Sequence, residues 1–275
     1  MTASHFDGLL HEARRLTGRV LARGRLHRVR RVRVDDTEVM LKSRRLGSGI
    51  AIRVGNIYLR RQRSNVEVLV DDEWLRWELA VESATSHEIV FQTHPSPYEK
   101  FRGLVSRVCS GRPLQNILID CASSLDEQFA AIRWAMAALD QLHQLQADWG
   151  NGLHQSISHG DATANNVIID SRTQSASWID FDTRHHRQLP TADRRADDLR
   201  ALIYSVASHL PQSRYPRLAQ EFSAQRPEAT VVNRFRCHLE SDWRRLNTFQ
   251  LAQAPLSWKN SAALSHVLLK SLSEA

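Results

Sequence analysis

Two short apolar runs, bracketed by acid and amide side chains, constrain this chain more than any other feature. Val167-Ile168-Ile169-Asp170 reads as a buried strand ending in a turn, and Ser175-Ala176-Ser177-Trp178-Ile179 reads as its hairpin partner. His159-Gly160-Asp161 and Asn166 stand before the first run, and Asp180-Phe181-Asp182 follows the second. The spacing therefore predicts two carboxylates and one carboxamide held at the ends of a small, rigid hairpin. The plainer alternative is an ordinary hairpin whose aspartates are turn formers.

Those residue types in that order suit one chemistry. Phosphoryl transfer from ATP needs a carboxylate beside the acceptor hydroxyl and oxygen ligands for Mg²⁺. Asp161 is the candidate for the first need. Asn166 and Asp180 are the candidates for the second.

His159-Gly160-Asp161 with Asn166, followed by Ile179-Asp180-Phe181-Asp182, resembles the catalytic and metal loops of the protein-kinase-like superfamily. The nearer likeness is to its small-molecule branch: aminoglycoside and choline phosphotransferases and the lipopolysaccharide-core Kdo/heptose kinases. The basic stretch Arg184, His185, His186 and Arg187 after the motif is most similar to the lipopolysaccharide kinases. The likeness covers about residues 104 to 202 well and the rest thinly. It implies an α+β, bilobal fold. The expected parts are a small, mostly β N-lobe (1–103), a hinge (104–114) and a larger, mostly helical C-lobe (115–275).

The resemblance also implies a lysine at a strand end and a helical glutamate that pairs with it. Only four of the 37 basic residues are lysines. One of them, Lys42, ends the strand-like run Glu38–Lys42, after a turn at Asp35-Asp36-Thr37 and a preceding alternating stretch, Leu26 to Val34. A solvated lysine at a strand end is the alternative. Residues 71–81 read as a helix with acids in its first turn. Glu78 shares a face with Trp74, Leu75 and Val81 and is preferred as the partner of Lys42; Glu73, nearer the helix start, is the other candidate. There is no G-x-G-x-x-G, and Gly18 and Gly24 are the glycines ahead of the strand. Leu104–Cys109 followed by Ser110-Gly111-Arg112-Pro113-Leu114 resembles the linker between lobes. Segment 106–109, with Arg107 and Cys109, is then the expected contact for the adenine edge.

Leu125, Phe129, Ile132, Met136 and Leu139 step by four and three, one apolar face of a helix that ends near His143. His159 reads as a brace for the Asp180 turn rather than a base. Asp198, in a further helix beginning near Ala196, resembles the aspartate that accepts backbone N–H groups of the catalytic loop. A helix N-terminal acid is the alternative. In the tail, Trp243, Leu246 and Phe249 are spaced as a helix face.

Two departures from protein kinases bear on the acceptor. Gly160 stands where they carry an arginine, and about fifteen residues separate Asp180 from the next helix. Both favour a small hydroxylated acceptor over a protein. Thr163 also stands where Ser/Thr kinases place a lysine.

Residues 14 to 63 hold fifteen arginines and Lys42 against three acids, more positive than the whole chain's net +7. That asymmetry implies an anionic partner, a phosphorylated sugar-lipid or the inner-membrane surface; nucleic acid is not expected. A solvated arginine-rich strand face is the alternative. No apolar run is long enough to span a bilayer and no signal-peptide pattern opens the chain. Three cysteines without zinc-like spacing fit a reduced, cytoplasmic setting, with peripheral membrane contact. The expectation is a kinase using ATP and Mg²⁺ on a sugar or sugar-lipid hydroxyl. An aminoglycoside-type kinase, a protein kinase, an inactive kinase-fold binding module and an arginine-based nucleic-acid binder are the rivals.

Overall fold

The computed structural model of the protein describes residues 27–34, 37–45, 48–61, 64–85, 89–93, 103–148, 154–240 and 256–274. Its fold is α+β, with small antiparallel sheets and a helical second half. Strands β1 (His27–Val34) and β2 (Thr37–Arg44) pair antiparallel through eight residues each, from His27 opposite Arg44 to Val34 opposite Thr37. β1 carries arginines at 28, 30, 31 and 33 and is an edge strand, where exposed charge blocks further strand addition. Helix α1 (Ser48–Arg61) follows, then β3 (Val66–Val68), helix α2 (Asp71–Ala84), β4 (Ile89–Thr93) and β5 (Gly103–Arg107). The first sheet runs β1-β2-β5-β4, so β2 lies inside it, with Lys42 opposite Leu104. Helix α1 lies within the arginine-rich segment and is not indicated by its charge pattern.

Helix α2 packs beside this sheet by one face. Trp74, Leu75, Trp77, Glu78 and Val81 are all buried, which matches the predicted face and extends the helix past residue 81. Two tryptophans with no exposed surface give that face a heavy apolar load.

β6 (Arg112–Pro113) leads directly into helix α3 (Leu114–Ile119). Gly111 makes that turn possible: its φ is +111°, and a Cβ there would sit 2.0 Å from the carbonyl oxygen of Ile169. Helix α4 (Leu125–Gln144) starts with a capping box, Ser124 accepting from the Glu127 backbone while Glu127 accepts from that of Ser124. Phe129, Ile132, Met136 and Leu139 are buried along it, each worth about 1.5–3 kcal/mol of apolar transfer. Leu125, expected on the same face, is exposed, because the first turn of α4 projects beyond the core.

β7 (Gln146–Asp148) pairs with β8 (His154–Ser156). β9 (Val167–Asp170) and β10 (Ser175–Trp178) form the predicted hairpin, with Ser175 opposite Asp170 and Trp178 opposite Val167; β6 pairs with the other edge of β9. β11 (Thr183–His185) pairs with β3, tying the segment after the hairpin to the chain ahead of α2. Helices α5 (Thr191–Ala207), α6 (Tyr215–Ala224), α7 (Ala229–Glu240) and α8 (Trp258–Glu274) complete the described chain. One continuous apolar cluster runs from Trp74 and Trp77 through α4 and α5 to Leu264 and Leu268. Leu26, the turn at 35–36, Gly18, Gly24, Trp243, Leu246 and Phe249 lie outside the described residues. No described helix is long and apolar enough to cross a membrane.

Candidate active site

The loop ahead of the hairpin is fixed from beneath by Asp198, a fully buried residue of α5. Its carboxylate accepts the backbone N–H of His159 at 2.7 Å and of Gly160 at 2.8 Å, and meets His143 Nε2 at 3.0 Å. Burial pushes this carboxyl up, but the surrounding His185, His143 and His159 outweigh it and hold it below the usual range. Asp198 thus braces the loop, and His143, at the end of α4, supports the brace. Gly160 has φ +77°; a Cβ would meet the Arg184 nitrogen at 3.2 Å, so the loop needs glycine here.

His159 is locked. Its Nε2 donates to the Ile179 carbonyl at 2.9 Å, while its Nδ1 accepts from the Asp161 backbone at 3.3 Å. Those two bonds select one neutral tautomer. Burial lowers its pKa against the pull of Asp198 and the other nearby carboxylates. With its ring against Trp178 and Phe181, it ties the loop to the Asp180 turn and has no nitrogen left for proton transfer.

Asp161 is 7% exposed. Asn166 Nδ2 donates both to the Asp161 carbonyl oxygen (2.8 Å) and to its Oδ2 (3.0 Å), which orients the carboxylate. Asn166 is likewise buried, so the pair forms one rigid polar unit at the base of β9. Thr163 has no exposed surface, and its N–H donates to the same Asp161 carbonyl.

At the same open end of the hairpin, where the Ile179 N–H donates to the Asn166 carbonyl at 2.9 Å, Asp180 adopts φ +71°, a left-handed conformation that aspartate tolerates better than most residues. Lys42 Nζ reaches it at 2.5 Å and also donates to both oxygens of Glu78, at 3.0 and 2.9 Å. Burial alone would depress the Lys42 pKa, yet Asp180, Glu78 and Asp182 hold it well above the ordinary value, so it is charged. The same burial raises Glu78, opposed by Lys42. Of the two glutamates, Glu78 is therefore the partner of Lys42. Glu73 accepts instead from Arg184 at 2.9 Å.

Three residues joined this cluster without having been assigned to it from sequence. Asp182 Oδ2 lies 3.3 Å from His27 Nδ1, and His27 packs its ring against Trp74 with centroids 4.6 Å apart. Burial raises the Asp182 carboxyl, but His27, Lys42 and Arg44 together bring it down to about 2. Glu82, one turn beyond Glu78, is pushed up to about 7 by burial and by the Glu78 charge. Asp182 could have been noticed as an acid two residues from Asp180; nothing in the local sequence singles out His27, which arrives through the β1–β2 register.

Arg107 ends β5 opposite Val39 and is exposed, and Cys109 is half-buried, its thiol raised by burial and by Glu82. The basic stretch after the hairpin is no surface patch: Arg184 and His185 are buried, Arg184 on Glu67 and Glu73. Ser158, His185 and Asp197 form a hydrogen-bonded chain of 3.0 and 3.1 Å, the order of a hydrolytic triad. All three are at most 2% exposed and Asp197 also pairs with Arg200, so this chain is structural.

The site thus gathers Lys42 from β2, Glu78 from α2 and Asp180 after β10, with Asp161 and Asn166 bonded to each other at the start of the same hairpin. A scan against protein-family models finds no match for the chain, and a search of curated proteins finds no significant one.

Proposed function

We propose that the protein is an ATP-dependent phosphotransferase with a bilobal, protein-kinase-like architecture, acting on a hydroxyl of a sugar or sugar-lipid. The observation that carries this reading is the convergence on Lys42 of Glu78 and Asp180, from 36 and 138 residues away. A buried, charged lysine held by a helical carboxylate and facing a second, part-exposed carboxylate suits nucleotide phosphates and their metal.

In this mechanism Lys42, steadied by Glu78, bonds the α/β-phosphates. Asp161, oriented by Asn166, receives the acceptor proton as the γ-phosphoryl group moves. Backbone groups of segment 106–109 contact the adenine edge. Asn166 and Asp180 would hold Mg²⁺, which would supply neutralisation of phosphate charge when bound. The donor set fits that ion: Asn166 turns its NH₂ toward Asp161, directing its carbonyl oxygen elsewhere, and Asp180 gives one oxygen to Lys42 and keeps the other. Positioning and charge neutralisation supply nearly all the catalysis in such a reaction.

A small acceptor is favoured by Gly160 and by the short run from Asp182 to Thr191, which leaves little room for a peptide platform. A peripheral contact with an anionic membrane is supported by α1. Its Ile50, Val54 and Ile57 are more than half exposed at helical spacing, and the helix holds arginines but no acid.

Thermal unfolding with and without Mg-ATP tests the reading. Ligand at 100 times its Kd adds about 2.7 kcal/mol, so the wild type should gain a clear Tm shift that Asp180→Ala loses. No shift in either protein would overturn the nucleotide reading and leave an anion-binding module.

A further inference from the structure

We propose that His27, Asp180 and Asp182 form a divalent-metal site with a nitrogen ligand, which takes a transition-metal cation such as Mn²⁺ in preference to Mg²⁺. It rests on the phosphotransferase reading only in sharing Asp180 with the phosphate site; the metal would bind without nucleotide.

A ring nitrogen of His27 and one oxygen from each aspartate all lie within 4.8 Å of one another. Ligands about 2.1 Å from a common ion stand about 3 Å apart when adjacent and about 4.2 Å when opposed, so the grouping is of the right size. The His27 side chain is 8% exposed. Its Nδ1 lies against Asp182, and its Nε2 is buried without a hydrogen-bond partner among the described residues. The Nδ1 edge is thus the one turned toward the acids, and Nδ1 is the ligand atom that the ring offers there. Asp180 spends one oxygen on Lys42 and retains the other.

Charge points the same way once His27 gives up its proton, as an imidazole does to ligate a metal. Lys42 and Arg44 then stand against three carboxylates, those of Glu78, Asp180 and Asp182, and a divalent cation reverses that deficit. His27 is held for the task by its contact with Trp74 and by its place at the start of β1. Mg²⁺ favours all-oxygen coordination, whereas imidazole raises affinity for first-row transition metals.

The test uses the full-length protein and metal alone. Mn²⁺ binding is titrated by electron paramagnetic resonance for wild type, His27→Gln and Asp182→Asn, with Mg²⁺ as competitor and circular dichroism as the control for folding. We expect one Mn²⁺ displaced by Mg²⁺ only at about tenfold or greater excess, with affinity lost at least about tenfold in His27→Gln. Spin-echo modulation from a directly bound ¹⁴N should appear in the wild type, whose fold is not in question, and vanish in His27→Gln. No bound Mn²⁺, or bound Mn²⁺ without nitrogen coupling, overturns the site and leaves His27 as an ion-pair partner of Asp182. Because nucleotide is absent, that failure is distinct from loss of the Mg-ATP thermal shift.

Discussion

Lys42 and Glu78 meet through both carboxylate oxygens, at 3.0 and 2.9 Å, although a strand and a helix 36 residues later supply them. The pair is nearly withdrawn from water, with side chains 11% and 4% exposed. Two buried charges cannot be separated cheaply: removing one partner of such a pair costs about 3–5 kcal/mol because the other stays buried without compensation. Lys42→Met should therefore lower stability by about 3 kcal/mol in urea unfolding and abolish the Mg-ATP shift. Adding Glu78→Gln to Lys42→Met should recover part of the stability but none of the binding, which separates the structural role of the pair from its role toward phosphate.

Gly160 tests the brace beneath the loop. Its φ of +77° is open to glycine and strained for other residues, and a Cβ would press on the Arg184 backbone at 3.2 Å. Gly160→Ala should cost about 1–2 kcal/mol, read as a shift in urea midpoint at unchanged slope. The loss should come with weaker Asp198 bonds, seen as faster amide exchange at His159. An unchanged midpoint would show that the loop does not depend on this conformation.

How far the site could be read from sequence depended on distance along the chain. The Val167–Trp178 hairpin was legible because its apolar runs are short and cleanly bounded, and the buried face of α2 because Trp74, Leu75, Glu78 and Val81 repeat at helical spacing. The choice of Glu78 over Glu73 followed from that face. The role of Asp198 was legible from its motif context, although a helix-start acid was an equal alternative. Helix α1 was not, since its apolar residues divide between a buried set, Ile52 and Leu59, and an exposed set, Ile50, Val54 and Ile57. A split pattern has no single face to detect. His27 was invisible for a different reason: a β1–β2 register that sets it opposite Arg44, and packing on Trp74, are long-range facts that no local pattern encodes.

Glu82 predicts a pH dependence. Its carboxyl is raised to about 7 from 4.5, by burial first and then by the Glu78 charge. The folded state therefore binds this proton more tightly than the unfolded state does. Stability is greatest, as far as Glu82 is concerned, below pH 4.5, declines through the interval and has lost the full contribution above pH 7. Glu82→Gln should remove that slope and make the variant more stable than wild type at pH 8 by about 2 kcal/mol. Parallel pH profiles for the two proteins would sink the assignment.

Asp161 and Asp180 should fail differently. Asp161→Asn keeps the shape and the bond from Asn166 but removes the proton acceptor, so transfer to an acceptor found by screening sugars and sugar-lipids should fall by about 10²–10⁴. Its Mg-ATP thermal shift should persist. Asp180→Ala should lose transfer and shift together. Equal loss of the shift in both variants would mean that Asp161 serves nucleotide binding rather than the acceptor hydroxyl.

Helix α1 offers the test of the membrane contact. Ile50, Val54 and Ile57 are 73%, 60% and 56% exposed and fall on one side of the helix. Arg60 and Arg61 close its last turn, and β1 adds exposed arginines at 28, 30, 31 and 33. Each basic side chain near an anionic leaflet contributes about 1 kcal/mol, and the apolar side chains add their burial in the interface. The protein should sediment with phosphatidylglycerol-containing vesicles and leave pure phosphatidylcholine vesicles unbound. Ile50→Asp with Val54→Asp should abolish sedimentation without changing the Tm, since neither side chain contributes to the core. Salt should weaken the wild-type association as surface charge is screened. Equal sedimentation with neutral and anionic vesicles would remove the electrostatic basis of the contact. Loss of sedimentation on adding excess RNA, with vesicles unable to displace it, would reassign the arginines to a nucleic-acid partner.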